Sequence, residues 1–512
     1  LLHDPDPGAL AAAMRRVARD LRRSADRGRI GTADAEAAIA RLRPAPALED
    51  LAPAGLIVEA APERAALKRE LLARLSAIAP GAVLASNTSS IPITSLAPAA
   101  ADPSRVVGMH FFNPAPVMRL VEVVAGLESS AEALSVARAA GAAMGKRVVD
   151  AADGPGFLVN RCSRPFGLEA LGLLAERAAD VGTIDRVLRL GGGFRMGPFE
   201  LQDLVGIDVG FEVARSFADL SFGEPRWRPS PLSARMVAAG RLGRKTGRGW
   251  YDYRDGPHRP PDPPAPAPGG GDGRLVVVGG DRPVAGELLG LALAAGFDAR
   301  DPGDAYGDVP WLALDCGADP DDPPLQGGPV ALLLADGSLA ALDAGGGAVG
   351  FHCLPPLEGC GLVELARGAH TAPLAAERAQ AFFGALGRHT AWVGDAPGLV
   401  LGRVVAQLVN EAAFAVAEGV GTPADVDAGM VLGLNHPRGP LAWGDAIGLD
   451  HVLAILDALW QERREERYRA APLLRRLVLQ GDVGVSTGAG FHAHEDDLAG
   501  DLTDRAGRAS WS

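Results

Sequence analysis

The chain has 512 residues, 47% of them hydrophobic, which is material for about three or four packed domains. A formal charge of −13, with no basic stripe interleaved with aromatics, excludes a general nucleic-acid binder. Cys162, Cys316, Cys353 and Cys360 show no CxxC spacing, no apolar run reaches membrane-spanning length, and no signal peptide is evident. Together these exclude a disulfide framework, a metal site and a membrane partner, and they suit a reducing cytoplasm.

In chain order, LLHDPDPGAL reads as the end of a strand, an acid and a helix start, and Ala9 to Arg27 carries helical apolar spacing with many arginines. An acid at the end of the second strand of a dinucleotide-binding unit takes the ribose hydroxyls, and Asp4 fits that acid; its charge would repel a 2′-phosphate, favouring NAD over NADP. No first strand or GxGxxG turn precedes it and the chain lacks an initiator Met, so this unit is expected to lack its pyrophosphate cradle. A second helix (TADAEAAIARL), the strand and exit loop LIVEAAPE, and the strand and loop VLASNTSS follow. The run RVVGM reads as a buried strand with His110 after it. LVEVV is an apolar run with one acid, Glu122. A carboxylate facing an imidazole fixes its tautomer and stabilises its protonated form. Taken singly, His110 reads equally as a structural histidine, Glu122 as solvent-facing, Ser89 as a turn or cap residue and Asn160 as a helix-start residue. A helix (Ala131 to Met144) and the strand and turn RVVDAADGPG close this part.

SNTSS (86–90), GMHFFNPAPVMRLVEVV (108–124) and DGPGFLVNR (153–161), in that order and spacing, resemble the L-3-hydroxyacyl-coenzyme A dehydrogenases. The resemblance covers nearly all of residues 1–253. It implies His110 as general base and acid on the substrate 3-hydroxyl, Glu122 orienting it, and Ser89 and Asn160 bonding the substrate oxygen or the histidine. It further implies NAD as cofactor, an acyl-CoA thioester as partner, and cofactor-lining roles for Glu63, Lys68, Asn87, Asn113 and Lys245 beside Asp4.

From Asn160 the pattern turns helical (Arg161 to Ala178, Thr183 to Leu190, then MGPFELQDLVGID) and ends at GRKTGRGWYDY. Residues 256–273, rich in Pro and Gly, read as a linker, stiff in its first half and loose in its second. Beyond it the chain repeats. RLVVVGGDRPVAGELLGLALAAGFDARD reads as a second dinucleotide-type unit whose Gly turn is degraded, with Asp281 and Val284 where glycines belong. His352, Glu364, Pro397, Asp445 and Asp450 each stand 242 positions after His110, Glu122, Pro155, Asp203 and Asp208. The second copy keeps the His–Glu pair but has Gly402 for Asn160, so no second active site is expected.

The expected architecture is therefore α/β plus all-α: a Rossmann-type parallel sheet followed by a helical domain, the pair repeated twice. Its segments are 1–152, an N-terminally incomplete NAD-binding domain; 153–255, helical; 256–273, linker; 274–394, degenerate Rossmann-like; 395–494, helical; and 495–512, a disordered tail. In the resembling family helical domains pair between subunits. Here Arg161–Tyr253 is expected to pack on Gly402–His494 as an internal pseudo-dimer, with further homo-oligomers open. The expected reaction is NAD-dependent oxidation of a (3S)-3-hydroxyacyl-CoA in fatty-acid or aromatic-acid degradation. The rival reading is a non-catalytic thioester-binding or scaffold protein that has lost its cofactor loop.

Overall fold

The computed structural model describes residues 1–317 and 327–494; the expected disordered tail, 495–512, lies outside the described residues. The chain divides into two compact units, Leu1–Phe157 and Leu158–Ser512.

The first unit holds a five-stranded sheet: β1 (Leu56–Glu59), β2 (Val83–Ser86), β3 (Val106–Phe111), β4 (Leu120–Ala125) and β5 (Arg147–Ala152), in that spatial order. Pairing is parallel except between β3 and β4. The central strands β2, β3 and β4 are almost wholly buried, as in a sheet covered on both faces, while β1 and β5 at the edges are partly exposed. Val83, Ala85, Val107, Met109, Val121 and Val123 form a core with Ala133 and Ala137 of the helix Ala131–Ala143. The side chain of Ser130 accepts the N–H of Ala133 and caps that helix. The expected strand end around Leu2 makes a single parallel bridge to Pro44 and no strand, and Asp6 then caps the helix Pro7–Asp26. Only Leu10 of that helix is buried, so its arginines form a solvated face. RVVGM does not end before the histidine as expected: β3 runs through Phe111 and carries His110 inside it.

The second unit opens with the helices Val159–Ala175, Val181–Arg186, Pro198–Val205, Ile207–Leu220 and Pro231–Ala238. A π turn, Val187–Gly191, extends the second of them. A seven-stranded sheet follows: β6 (Leu275–Gly279), β7 (Asp298–Arg300), β8 (Leu312–Asp315), β9 (Val330–Leu333), β10 (Val349–His352), β11 (Leu362–Arg367) and β12 (His389–Val393). Its order is β12-β11-β10-β9-β8-β6-β7, parallel throughout except at β10–β11. Five more helices end the described chain: Leu401–Ala417, Pro423–Leu434, Pro440–Ile447, Leu449–Arg463 and Pro472–Gln480.

The 401–417 helix is buried on every side from Leu401 to Ala415, the mark of a central helix, and it packs along the 159–175 helix. Ion pairs on two buried arginines cross that seam, each arginine meeting one buried and one more exposed glutamate. Arg161 Nε meets Glu411 at 2.8 Å and Arg161 Nη1 meets Glu418 at 2.8 Å; Arg403 Nη2 meets Glu169 at 2.6 Å and Arg403 Nη1 meets Glu176 at 2.8 Å. Each residue of one set stands 242 positions from its counterpart in the other.

The 256–273 segment, read as a linker, is bonded to the protein in both halves. His258 and Arg259 bond Glu200 at 2.8 and 2.6 Å, Arg189 bonds Asp262 at 3.1 Å, and the N–H groups of Gly269 and Gly271 donate to the carbonyls of Ala385 and Ala295. Long-range ionic and backbone bonds fasten it, and composition cannot reveal such bonds. No helix among the described residues is long and apolar enough to cross a membrane.

Candidate active site

Antiparallel pairing of β3 with β4 sets His110 directly opposite Glu122. Cross-strand partners in an antiparallel pair lie close enough for their side chains to meet. His110 Nδ1 meets Glu122 Oε2 at 2.5 Å, with the carboxylate fully buried and the ring 6% exposed. Phe112 and Phe157 flank the imidazole, ring centroids 4.6 and 5.9 Å away. The carboxylate holds the Nδ1 proton, leaving Nε2 as the basic nitrogen.

The SNTSS loop is fixed to the same sheet. Asn87 Oδ1 accepts the N–H of Phe111 at 2.8 Å, one residue from His110. Glu63 Oε1 accepts from Thr88 Oγ1 (2.6 Å), the N–H of Ser89 (3.0 Å), and the N–H and hydroxyl of Ser90 (3.1 and 2.9 Å). Burial opposes ionisation of Glu63, but these donors and the Lys68 ammonium outweigh it and hold the carboxyl below its usual range. Lys68 is 1% exposed, bonded to Glu59 at 2.9 Å and the carbonyl of Ala61 at 3.0 Å, and 3.4 Å from Glu63. Its donors thus go to the protein, so it supports Glu63 rather than offering a free N–H to a cofactor.

Two members of this support were missed at the sequence level. Buried Glu59 receives the hydroxyl of Ser86 at 2.7 Å as well as Lys68, and buried Thr88 holds Glu63. The signal for Glu59 was available: like Glu122, it is the lone acid of an apolar strand.

Asp4 accepts the N–H of Asp6 at 2.9 Å beside a cleft lined by Pro7, Leu10, Met14, Pro44 and Pro46. A carboxylate next to an apolar cleft fits the ribose and adenine of a nicotinamide dinucleotide. Asn113 lies exposed in the loop after β3. Asn160 and Lys245 belong to the second unit: Asn160 sits in the first turn of the 159–175 helix, and Lys245 pairs with Asp208, its Nζ donating at 2.7 Å.

The second histidine differs from what its sequence register suggests. His352 and Glu364 are again cross-strand partners, yet the side chains make no pair among the described residues. Glu364 turns to the N–H groups of Val400 and Leu401 at 2.7 and 3.0 Å, while His352 Nε2 sits 3.2 Å from His451 Nε2. Burial pushes Glu364 up to about 8 and His352 down to about 3. A Cβ on Gly402 would run into the His352 ring at Cε1, so the glycine standing 242 positions after Asn160 makes room for this ring.

A Rossmann-like sheet carrying a buried imidazole–carboxylate pair has the make-up of a dehydrogenase active site. The model of the 3-hydroxyacyl-CoA dehydrogenase NAD-binding domain matches residues 1–154, and that of the family's C-terminal domain matches both 156–253 and 398–494. The chain is 36% identical over 480 residues to 3-hydroxyadipyl-CoA dehydrogenase of Escherichia coli (strain K12), covering 94% of this chain and 92% of that one. It is 39% identical over 253 residues to a 3-hydroxybutyryl-CoA dehydrogenase of Mycobacterium tuberculosis, covering 49% of this chain and 88% of the relative. The crystal structure of a 3-hydroxybutyryl-CoA dehydrogenase from Escherichia coli K12 superposes with a TM-score of 0.78 at 32% identity, covering 93% of this chain and 92% of that one. The chain belongs to the 3-hydroxyacyl-CoA dehydrogenase family and is an NAD-dependent oxidoreductase.

Proposed function

We propose that this enzyme oxidises a (3S)-3-hydroxyacyl-CoA to the 3-oxoacyl-CoA, with His110 as the general base. The observation that carries the reading is the buried His110–Glu122 bond at 2.5 Å on a Rossmann-like sheet. Bound NAD supplies the carbon that takes the hydride. His110 takes the hydroxyl proton on Nε2, and Glu122, already on Nδ1, stabilises the imidazolium that forms. Ser89, held by Glu63, and Asn160 are assigned to hydrogen bonds with the substrate oxygen or the ring. Asp4 takes the adenosine ribose, with Glu63, Asn87, Asn113 and Lys245 lining the cofactor path and Lys68 bracing Glu63. Relatives named for 3-hydroxyadipyl-CoA and 3-hydroxybutyryl-CoA support an acyl-CoA substrate, and we assign the reaction to fatty-acid or aromatic-acid degradation in the cytoplasm.

We propose further that the two helical segments form an internal pseudo-dimer and that the second copy serves as its structural half. The reciprocal Arg161–Glu411 and Arg403–Glu169 pairs support the first point, and the sealed His352 supports the second.

His110→Gln should lower turnover, followed as NADH formation from a 3-hydroxyacyl-CoA, by about 10²–10⁴-fold, the range of general acid–base catalysis. Turnover within about threefold of the unaltered chain would refute the assignment.

A further inference from the structure

The 159–175 helix carries a cation that the packing does not explain. Its arginine at 161, like Arg403 and Arg226 elsewhere in the second unit, is met by carboxylates at 2.6–2.9 Å. Arg164 has no ion pair among the described residues. Its Nη1 is enclosed without a hydrogen-bond partner, and its guanidinium lies 5.0 Å over the ring of Phe217. Stacking on an aromatic face steadies a guanidinium but leaves its N–H groups unsatisfied. The residue as a whole is only partly buried, while Nη1 itself is enclosed. Burial alone draws its pKa down to about 10, since no carboxylate offsets the desolvation.

The repeat supplies an internal control. Arg161 has its counterpart in Arg403, and both are paired, so that cation belongs to the packing. The counterpart of Arg164, 242 positions on, is Ala406, and the counterpart of Asn160 is Gly402. The two polar residues are thus absent together from the copy whose histidine is sealed. Arg164 stands one helical turn beyond Asn160 on the same helix face, about 6 Å along the axis at 1.5 Å per residue.

We propose that Arg164 receives the distal carboxylate of a dicarboxylyl-CoA substrate, making it a specificity-determining residue one turn from Asn160, which the reading above assigns to the substrate oxygen or the ring. A planar guanidinium with open donors matches a carboxylate in two-pronged geometry. A chain of adipyl length puts its free carboxylate a few bonds beyond C3, which suits the spacing from Asn160 to Arg164. The inference rests on the dehydrogenase reading above and narrows its substrate class.

The test compares kcat/KM for 3-hydroxyadipyl-CoA and 3-hydroxyhexanoyl-CoA, equal in length and differing in the carboxylate, in the full chain and in Arg164→Met. The ratio favouring the dicarboxylyl substrate should fall about 10–100-fold, the worth of a hydrogen bond to a charged group. Arg164→Lys should restore part of it, and Arg164→Gln replaces the Met variant if that fails to fold. An unchanged ratio, an equal fall for both substrates, or an unaltered enzyme that prefers the hexanoyl chain overturns the proposal. Calorimetric binding of adipyl-CoA against hexanoyl-CoA, neither bearing a 3-hydroxyl, needs no turnover. A protein that oxidises neither substrate yet prefers adipyl-CoA, and loses that preference in Arg164→Met, would sink the dehydrogenase reading while keeping Arg164. No preference for adipyl-CoA would sink Arg164 alone.

Discussion

Arg403→Met should be among the most destabilising single changes in the second unit. Arg403 is fully buried, with Nε and Nη2 on Glu169 at 2.9 and 2.6 Å, Nη1 on Glu176 at 2.8 Å, and Nη2 on the Tyr468 hydroxyl at 2.7 Å. Methionine keeps much of the stem's packing but leaves Glu169, 2% exposed, with the Tyr468 hydroxyl at 2.9 Å and Arg467 at 3.6 Å. Removing one partner of a buried pair typically costs about 3–5 kcal/mol. Solvent-exposed ion pairs in general are worth only about 0–1 kcal/mol. The mirror change, Arg161→Met, should cost less, because Glu411 retains Arg226 at 2.9 Å. Denaturant unfolding followed by tryptophan fluorescence suits the test, since all seven tryptophans lie beyond residue 157 and none reports on the first unit. The double change Arg403→Met/Glu169→Leu should recover part of the loss, as an apolar replacement removes both buried charges. A loss below about 1 kcal/mol for Arg403→Met would refute the argument that this seam is held by desolvated charge, since that is the scale of an exposed pair.

Glu122→Gln should cut turnover, but adding it to His110→Gln should cost little more than His110→Gln alone, because the two act as one unit; multiplicative losses in NADH formation would contradict this. Glu364 titrates near 8 in the fold against an ordinary 4.5, so its ionisation penalty is absent below about 4.5 and complete above about 8. The stability of Glu364→Gln relative to the unaltered chain should therefore rise as pH climbs through that window, and a flat difference in fluorescence-monitored unfolding would contradict the burial argument. Gly402→Ala should destabilise the second unit by about 1–3 kcal/mol, as overpacking does, because its new Cβ meets the His352 ring; an unchanged midpoint would show that the ring moves aside freely. Glu200→Ala removes the anchor of His258 and Arg259 and should speed proteolytic cleavage within residues 256–262.

Much was legible from residue patterns alone. Mainly apolar runs bounded by turns located β1 to β5, because strands buried in a sheet are rich in apolar residues. The constant offset of 242 between His110 and His352 pointed to a second helical segment, and the family's C-terminal domain model matches both 156–253 and 398–494. The family resemblance, carried in part by a glutamate twelve positions after His110, marked the two as candidates. It did not say that β3 turns antiparallel into β4, and that register is what makes them partners.

The same spacing recurs at His352 and Glu364, where the side chains part and the carboxylate turns to Val400 and Leu401. A local pattern fixes which residues can face each other. Which hydrogen bond forms depends on what the rest of the chain brings near, here a glycine at 402 and a histidine at 451. Composition likewise marked 256–273 as a linker, but not the bonds to Glu200, Arg189 and Ala385 that fasten it. Residue identity and period are local and can be read along the chain. Burial, desolvation and the partners of Arg403 or Arg164 arise from segments brought together across long sequence separations, and only the tertiary structure decides them.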